Sequence, residues 1–327
     1  MKAFSGARLS GAVAVLLACA AGPASAETTI RIGHVLADSH SWNIAAQGFA
    51  KDVAEKTGGE LKVEIFPGGQ LGTEKEVIEG LQFGSVQGGV IGAGSFQSVE
   101  PKLGIIEMPY AWPTRDKAFA ALDGDLGTAL AKLLEAKNIK VLAWWENGFR
   151  DVTNSKRPIT TPADLAGLKI RVTPDKVRLE TFEALGAQPA PLAFGELYSA
   201  LQQGVFDAQE NPLAVIESSS FFDVQKYVSK TEHVWGAAAL VLSKPVWDKL
   251  TPDQQQVVEA AAKDWGAKQR QMATDGTTET VKNLEAEGMV FNEVDKAAFE
   301  AAVKPVWDKN AAVFGDELMA LVETYRK

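Results

Sequence analysis

Short apolar or alternating runs trade places with amphipathic helical stretches along most of the chain, and that rhythm limits the fold more than any other feature. Residues 29–34 and the strictly alternating Leu61–Phe66 read as strands, with an amphipathic helix over 44–56 between them. Glu74–Phe83 reads as the next helix and 86–91 as the third strand. This strand–helix–strand spacing is the signature of an α/β domain. Residues 118–137 continue as helix and 139–144 as strand. A second cycle starts after Asn147-Gly148, with strand Lys169–Val172 and helices over 176–185 and 195–203. The uninterrupted apolar run 237–242 fits a strand buried on both faces.

Residues 251–288 form the longest helical stretch. Thr251-Pro252-Asp253-Gln254 combines an N-cap threonine, a first-turn proline and a capping-box glutamine. Val258, Ala261, Trp265, Met272 and Leu284 then recur at helical spacing. At 1.5 Å per residue a single helix of this length would run ~50 Å, longer than one small domain is wide. Two helices broken near Gly276 satisfy the same pattern.

The N-terminus reads as an export signal. Lys2 and Arg8 accompany an apolar run over 11–21, and Ala24-Ser25-Ala26 supplies a small-x-small site, so cleavage is expected after Ala26. The run falls short of the ~20 residues a membrane span needs. Leu16-Leu17-Ala18-Cys19 also resembles a lipoprotein signal in which Cys19 would be lipidated. Cys19 is the one cysteine of the 327 residues, so the mature chain is expected to carry no disulfide, thiolate nucleophile or cysteine metal ligand. A net charge of −9, made more negative by loss of Lys2 and Arg8, argues against nucleic acid or anionic membrane as partner.

Three stretches carry candidate chemistry. In Gly-Leu-Lys-Ile-Arg171-Val, Leu168, Ile170 and Val172 share one strand face, and Arg171 lies on the other, near the strand's C-terminal end where α/β sheets present ligands. An arginine fork held there suits a planar carboxylate; a surface arginine shielding an edge strand has the same pattern. Glu210-Asn211-Pro212 offers an amide that both donates and accepts, or an ordinary turn before proline. Trp144-Trp145-Glu146-Asn147-Gly148-Phe149-Arg150 runs from an apolar strand through a polar pair to a second cation, which turn chemistry alone would allow as a hairpin tip.

Together these stretches resemble the solute-binding proteins of tripartite ATP-independent periplasmic (TRAP) transporters, the DctP-type family. The Trp-Glu-Asn-Gly-Phe-Arg wording is most similar to the branch that binds sugar acids such as diketogulonate and uronates. The resemblance implies a periplasmic-binding-protein-like α/β fold with two lobes around a ligand cleft and a long helix spanning both. Residues 27–147 plus 237–276 would form one lobe, and 148–236 plus 277–327 the other. It implies Arg171 as carboxylate clamp, Arg150 as a second cleft cation where the chain crosses between lobes, and Asn211 at the ligand. Glu210 and His233 would form a network with an arginine that couples the lobes, with Arg150 or His233 as partners of Glu210. Glu74, at the start of its helix, would accept hydroxyl hydrogen bonds, although the helix dipole also favours an acid there without any ligand. Glu146, Asn147, His34, Trp42 and Phe194 complete the expected pocket.

The expected partners are a small carboxylate and the membrane permease, with the protein in the periplasm and monomeric. The ligand would be a sugar acid or, with two cations to meet it, a C4-dicarboxylate. A ligand-sensing protein is the other binding reading. An enzyme using Glu74 and Glu146 as paired carboxylates is conceivable, but no catalytic motif supports it. Gly92-Ala93-Gly94-Ser95 lacks the third glycine of a dinucleotide fingerprint and the charges of the sialate-binding branch. Three scattered histidines make no metal site, and no cofactor is expected.

Overall fold

The computed structural model describes residues 28–326, so the expected cleavage after Ala26 and the lipidation of Cys19 lie outside the described residues. The strands are β1 (Thr28–Gly33), β2 (Leu61–Phe66), β3 (Gly88–Gly92), β4 (Ile139–Asn154), β5 (Lys169–Val172), β6 (Gln188–Pro191), β7 (Ala208–Pro212), β8 (Tyr227–Ser243) and β9 (Val290–Asn292). They join in one mixed sheet in the order β2-β1-β3-β8-β4-β7-β5-β6, with β9 on β8. On one side β1 is parallel to β2 and β3, and on the other β5 is parallel to β6 and β7. Parallel neighbours need crossover connections. The helices Ser41–Lys56, Glu74–Phe83 and Lys176–Ala184 sit in three of them, between β1 and β2, β2 and β3, and β5 and β6.

The two halves are joined by β4 and β8, which run antiparallel from Ile139↔Ser243 to Asn154↔Tyr227. β3 pairs with the 238–242 end of β8, while β7 pairs with the 150–154 end of β4. Asn147-Gly148 is therefore not a hairpin tip. It lies inside β4 at one of three register shifts, where Gly148 takes a φ of 123° and its Cα faces Pro212 so closely that a Cβ would stand 3.3 Å from that ring. A β-bulge at a glycine absorbs a polar pair without ending the strand.

Helices Pro252–Asp275 and Thr277–Ala286 continue one another through Gly276. Its dihedrals are right-handed helical, and it donates to Met272 O and accepts from Thr280 N–H. The first packs on Ser41–Lys56 and β4, the second on Leu213–Ser218, so the pair touches both halves. The expected helix 118–137 is divided at Gly124 into Arg115–Asp123 and Asp125–Glu135.

Asp151, on the joining strand β4, is 3% exposed, and its carboxylate accepts the Glu232 N–H at 3.0 Å. Burial pushes its pKa from 3.8 up to about 7. A raised carboxyl pKa means the folded chain binds a proton that the unfolded chain has released. Stability is therefore lost as pH rises from the unfolded value through about 7. Asp151→Asn keeps the acceptor and removes that titration. It should be more stable than wild type by about 2–4 kcal/mol near pH 8, a gap that closes toward about pH 4. Thermal melts across that range check it; a pH-independent difference would contradict the buried, protonated carboxyl.

Candidate functional site

The site is organised around Glu210 on β7. Antiparallel pairing sets Val152 opposite Glu210 and Arg150 opposite Pro212, which brings the Arg150 side chain back over Glu210. Arg150 donates through Nε to Glu210 Oε2 at 2.6 Å and through Nη2 to Oε1 at 2.8 Å, to the Glu210 carbonyl at 2.6 Å and to Asn211 Oδ1 at 2.9 Å. Arg178, on the helix after β5, donates from Nη1 to both Glu210 oxygens at 3.2 and 3.0 Å. His233 Nε2 lies 3.2 Å from Oε2, and its Nδ1 lies 2.9 Å from the Thr231 hydroxyl. A carboxylate only accepts, so Nε2 carries the proton and Nδ1 takes that of Thr231. Burial depresses the His233 pKa and keeps the ring neutral. Burial alone would raise Glu210, yet Arg150 and Arg178 hold it well below the usual carboxylate range. Both partners foreseen for Glu210, Arg150 and His233, contact it.

Arg171 is 2% exposed on β5 and donates through Nε and Nη2 to the Leu192 carbonyl at 2.9 and 2.7 Å. One edge of its fork is thus fixed by backbone, and the Nη1–Nη2 edge is left over. Burial lowers its pKa to about 10, so it stays a cation at neutral pH. Phe194 lies against it, with the guanidinium carbon 5.9 Å from the ring centre. Arg171 and Arg150 line one cavity of about 40 Å³. The Nη1 nitrogens of both make no hydrogen bond to any described residue.

Asn211, Glu74, Trp42, Phe194 and Asn147 line the same cavity. Asn211 gives its carbonyl to Arg150 and one N–H to Gln209 Oε1 at 2.6 Å, which leaves the second N–H. Glu74 opens its helix behind a Thr73–Glu76 capping box and accepts from Gly92 N–H at 2.8 Å and from the Ser95 hydroxyl. Burial raises its pKa. Trp42 spends its indole N–H on the Glu146 carbonyl at 2.8 Å and offers an apolar wall. Asn147 Oδ1 is buried without a partner among the described residues.

Two expected pocket residues stand elsewhere. His34 follows β1, its N–H bound to Phe66 O, and its ring turns to Asn43 Oδ1 at 3.3 Å, away from the cavity. Glu146 precedes the bulge and faces the other way. Its Oε1 accepts Arg115 Nε at 2.6 Å and the Trp235 indole at 3.2 Å, and it lines a second cleft of about 880 Å³ that Asn147 also borders. That cleft is larger, but the two guanidinium groups with unfilled arms border the smaller cavity. Arg178 was not foreseen. Its signal was a cation four residues before Phe182, on a helix face otherwise buried.

The chain matches the family described as bacterial extracellular solute-binding protein, family 7 (DctP), over residues 32–312, and it belongs to that family. It is a TRAP transporter solute-binding protein, one of a family of transport binding proteins rather than enzymes. It is 35% identical to the 2,3-diketo-L-gulonate-binding periplasmic protein YiaO of Escherichia coli K12, over 91% of this chain and 92% of that one. A Sulfitobacter sp. NAS-14.1 TRAP binding protein with bound β-D-galacturonate superposes with a TM-score of 0.88 at 33% identity, covering 91% and 99% of the two chains. One from Roseobacter denitrificans OCh 114 with bound L-galactonate gives 0.86 at 35%, covering 91% and 98%. Among the described residues no helix is long and apolar enough to cross a membrane.

Proposed function

We propose that this chain captures a sugar acid of the uronate or hexonate type in the periplasm and hands it to a TRAP membrane permease. The observation that carries the proposal is the pair of buried guanidinium groups, Arg171 and Arg150, that line one cavity with their Nη1 arms unfilled. The ligand carboxylate takes those arms. Asn211 Nδ2 and the Glu74 carboxylate meet its hydroxyls, with Trp42 and Phe194 on its carbon faces. Relatives whose bound or named ligands are galacturonate, galactonate and diketogulonate support this class.

The cavity has room for little more than a water molecule or two. A six-carbon acid therefore enters only when the halves part. Residues 27–147 plus 237–276 move as one lobe and 148–236 plus 277–327 as the other, hinged on β4 and β8, and closure gives the permease a loaded form to recognise. Glu210 and His233 couple ligand to closure through Arg150. The protein is exported by cleavage after Ala26 and acts as a monomer.

A thermal-shift and calorimetric comparison tests both ligand class and clamp. Uronates and hexonates should raise the melting temperature more than succinate, malate or fumarate at equal concentration; a ligand at 100 times its Kd stabilises by about 2.7 kcal/mol. Arg171→Lys keeps a charge but loses the planar fork. Losing one charge-assisted bond costs about 1.5–3 kcal/mol, so Kd should weaken about 10- to 150-fold. A larger shift with a C4-dicarboxylate would move the chain to that ligand class, and unchanged affinity in the lysine variant would refute the clamp.

A further inference from the structure

Among the described residues Arg178 is the cation that faces the most carboxylates, three, and none of the roles assigned so far explains all of them. It is 3% exposed, and each of its nitrogens faces a different carboxylate. Nη1 binds Glu210, Nη2 donates to Glu107 Oε2, and Nε stands 3.4 Å from Asp175 Oδ2. Glu210 and Asp175 belong to the β5–β7 side of the sheet. Glu107 does not: it ends the 3-10 turn Pro101–Glu107 that follows β3, on the opposite side. Glu107 is 2% exposed.

The surfaces around this pair abut with no room for a side chain. A Cβ on Gly94 would stand 2.8 Å from Asp175 Oδ2 and 3.3 Å from the Glu107 side chain. A Cβ on Gly104 would stand 2.9 Å from Val177 Cγ2. Gln97 Oε1, from the same side as Gly94, accepts the Val177 N–H at 3.4 Å. Two glycines and an ion pair thus meet the first turn of the helix that carries Arg178.

We infer that Glu107 and Arg178 form a closing latch that positions the ligand-binding Arg150. The inference rests on the reading of Arg150 and Arg171 as the clamp of a hinged cleft. Closure brings Glu107 onto Arg178. Arg178 then grips Glu210 through Nη1, and Glu210 in turn fixes Nε and Nη2 of Arg150, so that only Nη1 of Arg150 is left for the ligand. In the open form Arg178 keeps Glu210 and Asp175 but loses Glu107, and a buried carboxylate returns to water. Both border the cavity, but every nitrogen of Arg178 already faces a carboxylate, so Arg178 and Glu107 act as positioning residues that set how firmly Arg150 holds the ligand.

The test uses the mature protein with D-galacturonate, L-galactonate and succinate as probes, titrated calorimetrically against wild type, Glu107→Gln, Gly94→Ala and Arg171→Lys, with unliganded melts alongside. Glu107→Gln keeps the shape and removes the charge; Gly94→Ala keeps the ion pair and props the surfaces apart. Each should weaken the tightest probe about tenfold, equivalent to about 1.4 kcal/mol, while the unliganded melting temperature stays near wild type, because the contact is made on closure. If both variants lower the unliganded melting temperature and leave the Kd unchanged, the pair is a permanent structural contact and the latch is wrong. Weakening by Arg171→Lys alone would reject the latch and leave the clamp standing. Binding of none of the probes would overturn the clamp reading, and the latch with it.

Discussion

A carboxylate with no exposed surface, held at once by Arg150, Arg178 and His233, is the interaction on which the site depends. Ionised groups are costly to remove from water unless they are paired and hydrogen-bonded. Glu210 meets that condition through both oxygens, and its carbonyl and the neighbouring Asn211 amide take further donors from Arg150. The result is geometric more than energetic. The Nε–Nη2 edge of Arg150 is spent on Glu210 and Asn211, as the same two nitrogens of Arg171 are on the Leu192 carbonyl, and what remains of each guanidinium borders the same cavity. A long flexible cation would not keep such an arrangement; two forks pinned along one edge do.

Charge also accounts for how an acidic protein can favour an anion. The net charge of −9 sets an unfavourable distant field. At the cavity, however, Glu210 is shared between Arg150 and Arg178, and Glu74 is occupied by Gly92 N–H and Ser95. Glu146, an acid on the joining strand β4, is paired with Arg115 and does not line the cavity. The local balance therefore leaves the ends of Arg150 and Arg171 unpaired behind low-dielectric walls such as Trp42, which is what the proposed carboxylate clamp requires.

Much of this was legible in the sequence, and the failures have physical reasons. Leu61–Phe66, Glu74–Phe83 and Lys169–Val172 fall where alternation and capping put them, because each reads its own face without help from distant residues. The place of Arg171 on its strand was legible for the same reason. β4 and β8 were read as short strands, since their bulges break alternation at Glu146–Gly148 and elsewhere. Turn chemistry alone left Asn147-Gly148 open as a hairpin tip, and only the resemblance made the stretch a crossing between lobes; the bulge at Glu146–Gly148, which sets the face each side chain takes, is not written in the local alternation. His34 was placed by proximity to the end of β1, but its ring is claimed by Asn43 in the following helix. Arg178 was missed because a charged residue in a helix reads as solvated, and its partners Glu107 and Glu210 lie far away in the chain.

The most direct test of the account is small-angle scattering from wild type and Glu210→Gln, each with and without saturating D-galacturonate. The Glu210 cluster is held to shape a cleft that shuts on a carboxylate. Wild type should therefore show a smaller radius of gyration with the ligand, and Glu210→Gln should show less compaction at equal occupancy. An identical wild-type profile with and without bound ligand, or full compaction in the glutamine variant, would contradict it.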